Sequence, residues 1–310
     1  MINLKKITIA LAVLLISATM VTADDFVHFV TPQGSYATLE THRIYYRCVG
    51  EGDITIVINH GIGGAAVEWT TFQDRIGAYT KTCAYDRAGY GWSDSGPAPR
   101  TSTQAVHELE VLLDEASIAP PYLLIGHSFG GLIARQFAAL HPDQLAGLIL
   151  IEASNAQVLP SRTSHGAVQT HGIDEAQIEA QRASKSGYEA AAGFLNSRRK
   201  AIFAQMDELT NFEKSTLQAA AKRLPAELPL LVLTRDPHLN ANSPVEERWH
   251  NAQLELSKIT DNAELLIAKG AGHSPHLERP EIVNQAVLEF LLKLTGDGLE
   301  GRAITQELSN

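Results

Sequence analysis

The sequence predicts an α/β protein: a mostly parallel twisted sheet with helices on both faces. Three observations predict it. Short, almost wholly apolar runs of strand length alternate with amphipathic helical stretches, and a strand without a polar side must be covered on both faces. The first strand-like runs are joined by short turns, so the sheet begins antiparallel and then continues parallel. The chain has 310 residues, of which 45% are hydrophobic and 19% charged, enough for a large core and ordinary for a globular protein. Disordered, collagen-like and disulfide-scaffold classes are excluded on composition. The formal charge of −10 opposes a nucleic-acid partner, whose phosphates it would repel.

The first segment stands apart from the fold. Residues 1–23 combine Lys5 and Lys6, an apolar run from Ile7 to Val21, and small residues at Val21-Thr22-Ala23. That is the pattern of a signal peptide. The run falls short of the ~20 residues that span a bilayer, and no cysteine follows it for lipid attachment. The expected mature chain begins near Asp24, in an exported, oxidising compartment (periplasmic or secreted), without a stable membrane anchor. Export bears on the two cysteines, Cys48 in RIYYRCVG and Cys83 in KTCAYDR. They are either two buried thiols or, if their strands are neighbours, a disulfide.

In chain order, strands are expected at Tyr36–Glu40, Arg43–Val49 and Ile54–Asn59, separated by Thr41-His42 and Gly50-Glu51-Gly52-Asp53 as turn residues. Val67, Trp69, Phe72 and Ile76 share a short helical face, and Thr82–Tyr85 is the next strand. Gln104–Ser117 places Val106, Leu109, Leu112 and Leu113 at helical spacing. Strand Tyr122–Ile125, helix Leu132–Leu140 and strand Leu145–Ile151 follow, then strands Leu228–Leu233 and Glu264–Ala268 and a closing helix Glu281–Leu294. Between Ala153 and Ala226 no strand is expected. Glu175–Lys185, Tyr188–Gln205 and Phe212–Arg223 have helical spacing instead. The chain therefore divides into a core of residues 24–153 and 227–294, a helical lid insertion at 154–226, and a loose polar tail at 295–310.

The strongest chemical signal is Gly126-His127-Ser128-Phe129-Gly130-Gly131, between a strand and a helix. A serine on such a turn has a strained backbone that lifts its hydroxyl clear of the sheet. The glycines leave room where any Cβ would crowd the turn. A helix start behind the serine offers N–H groups and partial positive charge. Three further motifs accompany it: His60-Gly61-Ile62-Gly63-Gly64 after the strand ending at Asn59, Asp86-Arg87-Ala88-Gly89-Tyr90-Gly91-Trp92-Ser93-Asp94, and Gly270-Ala271-Gly272-His273 ahead of His276-Leu277-Glu278-Arg279-Pro280.

With these motifs the chain resembles the α/β-hydrolase fold superfamily from about Tyr36 to Leu294. The resemblance implies Ser128 as nucleophile, His273 as its base, and the backbone N–H groups of Ile62 and Phe129 as an oxyanion hole. Each role has a physical reason. A serine hydroxyl needs a base to take its proton, and a neutral imidazole can do so near neutral pH. Losing one preorganised oxyanion donor costs ~2.7–4 kcal/mol. His127, next to the serine, is a packing or hydrogen-bonding residue on this reading; Asp86, Arg87 and their glycines brace loops.

The acid departs from the common pattern. Where many relatives carry it after the strand matched by Leu230–Leu233, this chain has Pro237 and His238, with Asp236 slightly early. A subset of the superfamily places the acid after the strand that follows the nucleophile helix, and there stands Glu152. Glu152 is the first choice and Asp236 the alternative. No paired-cysteine or HExxH metal motif occurs, so neither metal nor cofactor is expected. Phe194, Leu195, Phe203 and Met206 are pocket candidates or burial against the sheet. The expected protein is an exported serine hydrolase acting on a small or medium carboxylic ester through an acyl-enzyme. The alternatives are an aminopeptidase, a lactonase or a C–C bond hydrolase with the same machinery, or a non-catalytic binding protein on this scaffold.

Overall fold

The structure, a computed structural model, describes residues 29–156, 187–239 and 243–296, together with Gly301 and Ile304. The expected signal peptide at 1–23 and the helix expected at Glu175–Lys185 lie outside the described residues.

Eight strands form one sheet in the order β1-β2-β4-β3-β5-β6-β7-β8. They are β1 (Ser35–Thr38), β2 (Arg43–Val49), β3 (Thr55–Asn59), β4 (Lys81–Tyr85), β5 (Tyr122–His127), β6 (Leu145–Ile151), β7 (Leu230–Arg235) and β8 (Ala263–Ala268). The pairs β1·β2 and β2·β4 are antiparallel; every other pair is parallel. In strand β5 all six residues are buried, as the absence of a polar face required.

Alternate residues divide the core between the two faces. Leu124, Leu148, Leu150 and Val232 pack with helices α2 (Ser102–Glu115) and α3 (Gly130–Leu140). Leu123, Ile125, Ile149, Ile151 and Leu233 pack with α1 (Thr70–Ile76) and the closing helix, here α9 (Pro280–Thr295). The period of two along each strand sorts the side chains. Truncating any of these leucines or isoleucines to alanine would cost about 2–5 kcal/mol.

The insertion supplies three described helices: α4 (Gly187–Asn196), α5 (Arg199–Thr210) and α6 (Phe212–Ala220). The single helical run expected over Tyr188–Gln205 is broken at Ser197-Arg198. Ser197 ends α4 with its hydroxyl on the Phe194 carbonyl, and Arg198 is extended, at φ −67° and ψ 147°. A helix not anticipated from the spacing, α7 (Pro244–Leu256), follows β7, and a short turn of helix, α8 (Pro275–Glu278), precedes α9. Of the tail expected to be loose, only Gly301 and Ile304 are among the described residues, and Ile304 is buried in the cluster that contains α9, where an apolar side chain gains by leaving water.

Cys48 and Cys83 face each other across the antiparallel β2·β4 pair and are joined as a disulfide. The adjacency of their strands is the condition the sequence could state but not verify.

Candidate active site

Three elements deliver the site to the carboxyl ends of the parallel strands. Strand β5 ends at His127 and turns sharply into α3, with Ser128 at φ 51°. That left-handed value is uncommon for a residue with a side chain. It is held on both sides: the Ser128 N–H donates to the Ile151 carbonyl, and its own carbonyl accepts from Gly131 and Ser154. A Cβ on Gly126 would lie 2.6 Å from the Gly131 Cα, so strand and helix can approach this closely only with glycine there.

Strand β6 ends one position before Glu152, which also has a left-handed backbone, φ 49°, and a fully buried side chain. Its carboxylate is completely engaged. Oε1 accepts from the Thr234 hydroxyl at 2.9 Å and the Arg235 N–H at 2.8 Å. Oε2 lies 3.2 Å from His273 Nδ1 and 3.0 Å from Arg235 Nε. Burial by itself would raise the carboxyl's pKa, but the His273 hydrogen bond and the Arg235 charge more than offset it and hold the group below its ordinary value.

His273 comes from the loop after β8. Its Nε2 lies 3.1 Å from Ser128 Oγ, so one imidazole spans serine and glutamate. His127 is turned away from the serine's proton: its Nε2 meets the His273 carbonyl at 2.8 Å. Since a carbonyl only accepts, that nitrogen carries the hydrogen. Burial chiefly, then the His273 charge, depresses the His127 pKa to about 3, so it is a neutral clamp on the histidine loop. His276, also buried with its pKa depressed by burial, stacks on Trp69 at 4.1 Å behind that clamp.

Asp236, the alternative acid, is placed beside the loop rather than on the imidazole. Its carboxylate accepts from the N–H groups of Gly270 and His238, and those backbone bonds hold its pKa low. Of the two carboxylates, the structure brings Glu152 to His273 and leaves Asp236 bracing the chain before it. The loop with Ile62 lies against the serine turn. A Cβ on Gly61 would be 3.1 Å from that of Ser128, and a Cβ on Gly130 would strike the Asn59 and His60 carbonyls. Among the described residues, the N–H groups of Ile62 and Phe129 donate no hydrogen bond within the chain.

Several contributors were not anticipated. Thr234 and Arg235 hold Glu152, and the signal for them is their position at the end of β7, immediately before Asp236. Trp249, on α7, sets its ring 5.3 Å from that of His273, edge to face, with the Arg235 guanidinium over it. Arg87, expected only to brace loops, is paired with Glu208 of α5. Of the pocket candidates, Leu195 is buried against Ala65 and Val67, whereas Phe194, Phe203 and Met206 are exposed. Among the described residues no cluster of three or more potential metal-ligating side chains occurs.

Comparison with known proteins shows the family and the fold. A model described as "Alpha/beta hydrolase family" matches residues 56–286. The 2-hydroxy-6-oxononadienedioate/2-hydroxy-6-oxononatrienedioate hydrolase of Escherichia coli is 26% identical over 270 residues, 82% of this chain and 92% of that protein. The pimeloyl-[acyl-carrier protein] methyl ester esterase of Yersinia enterocolitica is 34% identical over 123 residues, 40% of this chain and 43% of that protein. Among solved structures, the enol-lactonase from Burkholderia xenovorans superposes with a TM-score of 0.61 at 20% identity, over 83% of this chain and 99% of that one; at that identity the likeness speaks for the fold.

Proposed function

The chain belongs to the alpha/beta hydrolase family, and from that premise we propose that it is an exported serine hydrolase that cleaves small or medium carboxylic esters through an acyl-enzyme. One observation carries the reading: His273 lies within 3.2 Å of both the Ser128 hydroxyl and the Glu152 carboxylate. Ser128 Oγ attacks the ester carbonyl carbon while His273 Nε2 takes its proton. The carbonyl oxygen, now negative, is received by the N–H groups of Phe129 and Ile62. The C–O bond to the leaving alkoxide breaks as His273 returns the proton to it. Water then repeats the sequence on the acyl-serine and frees the acid. Glu152 holds Nδ1 protonated, which leaves Nε2 free to accept, and it favours the imidazolium as that forms.

Esters are the first substrate class because one relative is named as a methyl ester esterase and an ester is the simplest carbonyl substrate that an acyl-serine route serves. The leader at residues 1–23 supports export, and N-terminal sequencing of exported protein should begin near Asp24. A fluorophosphonate should label Ser128 stoichiometrically, and Ser128→Ala should abolish both labelling and release of p-nitrophenol from short acyl esters. Tight binding of an ester panel without turnover by a labelled, folded chain would favour the binding-protein alternative.

A further inference from the structure

Arg87 stands at the end of β4 and is almost wholly buried, about 1% exposed, as is Glu208 of α5. The two meet as a double fork: Nε to Oε1 at 2.8 Å and Nη2 to Oε2 at 2.9 Å. Tyr90 adds its hydroxyl to Oε2 at 2.7 Å. The rest of the guanidinium faces the chain between β3 and α1. Nη1 donates to the His60 carbonyl and Nη2, at 3.1 Å, to the Gly61 carbonyl. His60 Nδ1 reaches the same Gly61 oxygen at 2.8 Å. Its Nε2 accepts from the Arg87 N–H, so Nδ1 is the protonated nitrogen.

The Gly61 carbonyl and the Ile62 N–H belong to one planar peptide group and point in opposite directions. Fixing that oxygen from behind fixes where the Ile62 N–H points. A charged donor on the oxygen also strengthens the N–H as a donor, since bonded dipoles polarise one another. The next carbonyl but one, of Gly63, is held by the Asn196 amide of α4 at 2.7 Å. A buried ion pair is a poor source of net stability once desolvation is counted, so stability alone does not account for this one.

We propose that Arg87, oriented by Glu208 of the insertion, is a positioning residue for the oxyanion hole: its guanidinium holds and polarises the peptide that presents the Ile62 N–H to the reacting oxygen. This rests on the serine-hydrolase reading above. It makes helix α5 part of the catalytic apparatus through Glu208, which meets Arg87 and Tyr90 rather than Ser128 or His273.

Arg87→Lys keeps the charge but lacks the fork that serves Glu208 and both carbonyls together. Losing an oxyanion donor outright lowers kcat by ~10²–10³-fold; disorienting one should lower it by about tenfold or more. In Arg87→Lys, kcat for a p-nitrophenyl ester should fall by that factor with KM within twofold. Affinity for a trifluoromethyl ketone, which adds to Ser128 as an oxyanion, should fall in parallel. Glu208→Gln should shift both in the same direction by a smaller factor. A folded Arg87→Lys with wild-type kcat and ketone affinity overturns the inference. Should Arg87→Lys fail to fold, Glu208→Gln decides alone: unchanged kcat and ketone affinity in that folded variant overturn it. A wild-type chain that neither labels at Ser128 nor turns over any ester ends the serine-hydrolase reading and this inference with it; a labelled, active wild type with unaffected variants ends the inference only.

Discussion

In the proposed mechanism, Glu152 is the residue on which the chemistry turns most sharply. Its carboxylate is buried, accepts two hydrogen bonds on one oxygen and faces His273 with the other. Glu152→Gln preserves size but not the charge that favours an imidazolium, and kcat should fall by ~10²–10⁴-fold. Asp236→Asn leaves the imidazole's partner in place, so kcat should stay within a few-fold of wild type; steady-state kinetics on both variants checks the assignment, and the reverse pattern would refute it. Ser128 and His273 were legible because each sits in a short local motif. The carboxylate was legible only as a preference for Glu152 over Asp236, because both stand just past the ends of neighbouring strands and only the packing of the β8–α8 loop decides which one meets the imidazole. Glu208 was wholly illegible: 121 residues separate it from Arg87, and a lone glutamate on an amphipathic helix looks like any solvated one.

At the level of elements, the turn between β5 and α3 and the loop after β3 are pressed together, with glycine at the points of contact. Gly130→Ala would drive a methyl group into the Asn59 and His60 carbonyls and push the donor loop away from the serine. Turnover should drop by more than tenfold, measured on protein whose circular dichroism remains native. Gly193 is the control. It lies exposed within α4, and a Cβ there meets nothing within 4 Å, so Gly193→Ala should raise stability by about 0.5–1 kcal/mol in chemical denaturation without altering activity. Strand periodicity predicted the parallel core to within a residue or two at most boundaries. Helix α7 escaped because its face is weakly apolar, with Ala252, Gln253 and Leu256 as its buried residues, and its Pro244 start falls in a polar stretch. The break between α4 and α5 escaped because alanine-rich spacing runs straight through it.

Across the whole molecule, buried ionisable groups set the response to acid. His60, His127 and His276 all have pKa values depressed by burial. Unfolding therefore releases three imidazoles that take up protons below about pH 6.5, and the stability they contribute near neutrality is lost as the pH falls. Asp86 acts the other way. Burial, partly countered by the N–H groups of Ala66 and Trp92, raises it to about 6, so between its ordinary range and that value the folded chain holds a proton the unfolded chain releases. The depressed imidazoles outnumber the one raised carboxyl, so on balance unfolding takes up protons as the pH falls below neutrality, and stability falls with it. Melting temperatures should step down from pH 7 to 6 to 5; a flat profile would contradict the burial of these rings. The Cys48–Cys83 bond has a different kind of consequence. It closes the chain into a covalent ring, and the segment His60–Gly64 lies on the circumference. A protease that cuts once between Val49 and Thr82 opens that ring without releasing a fragment. The nicked molecule should run as one band in a denaturing gel and separate into two only after a thiol reductant is added.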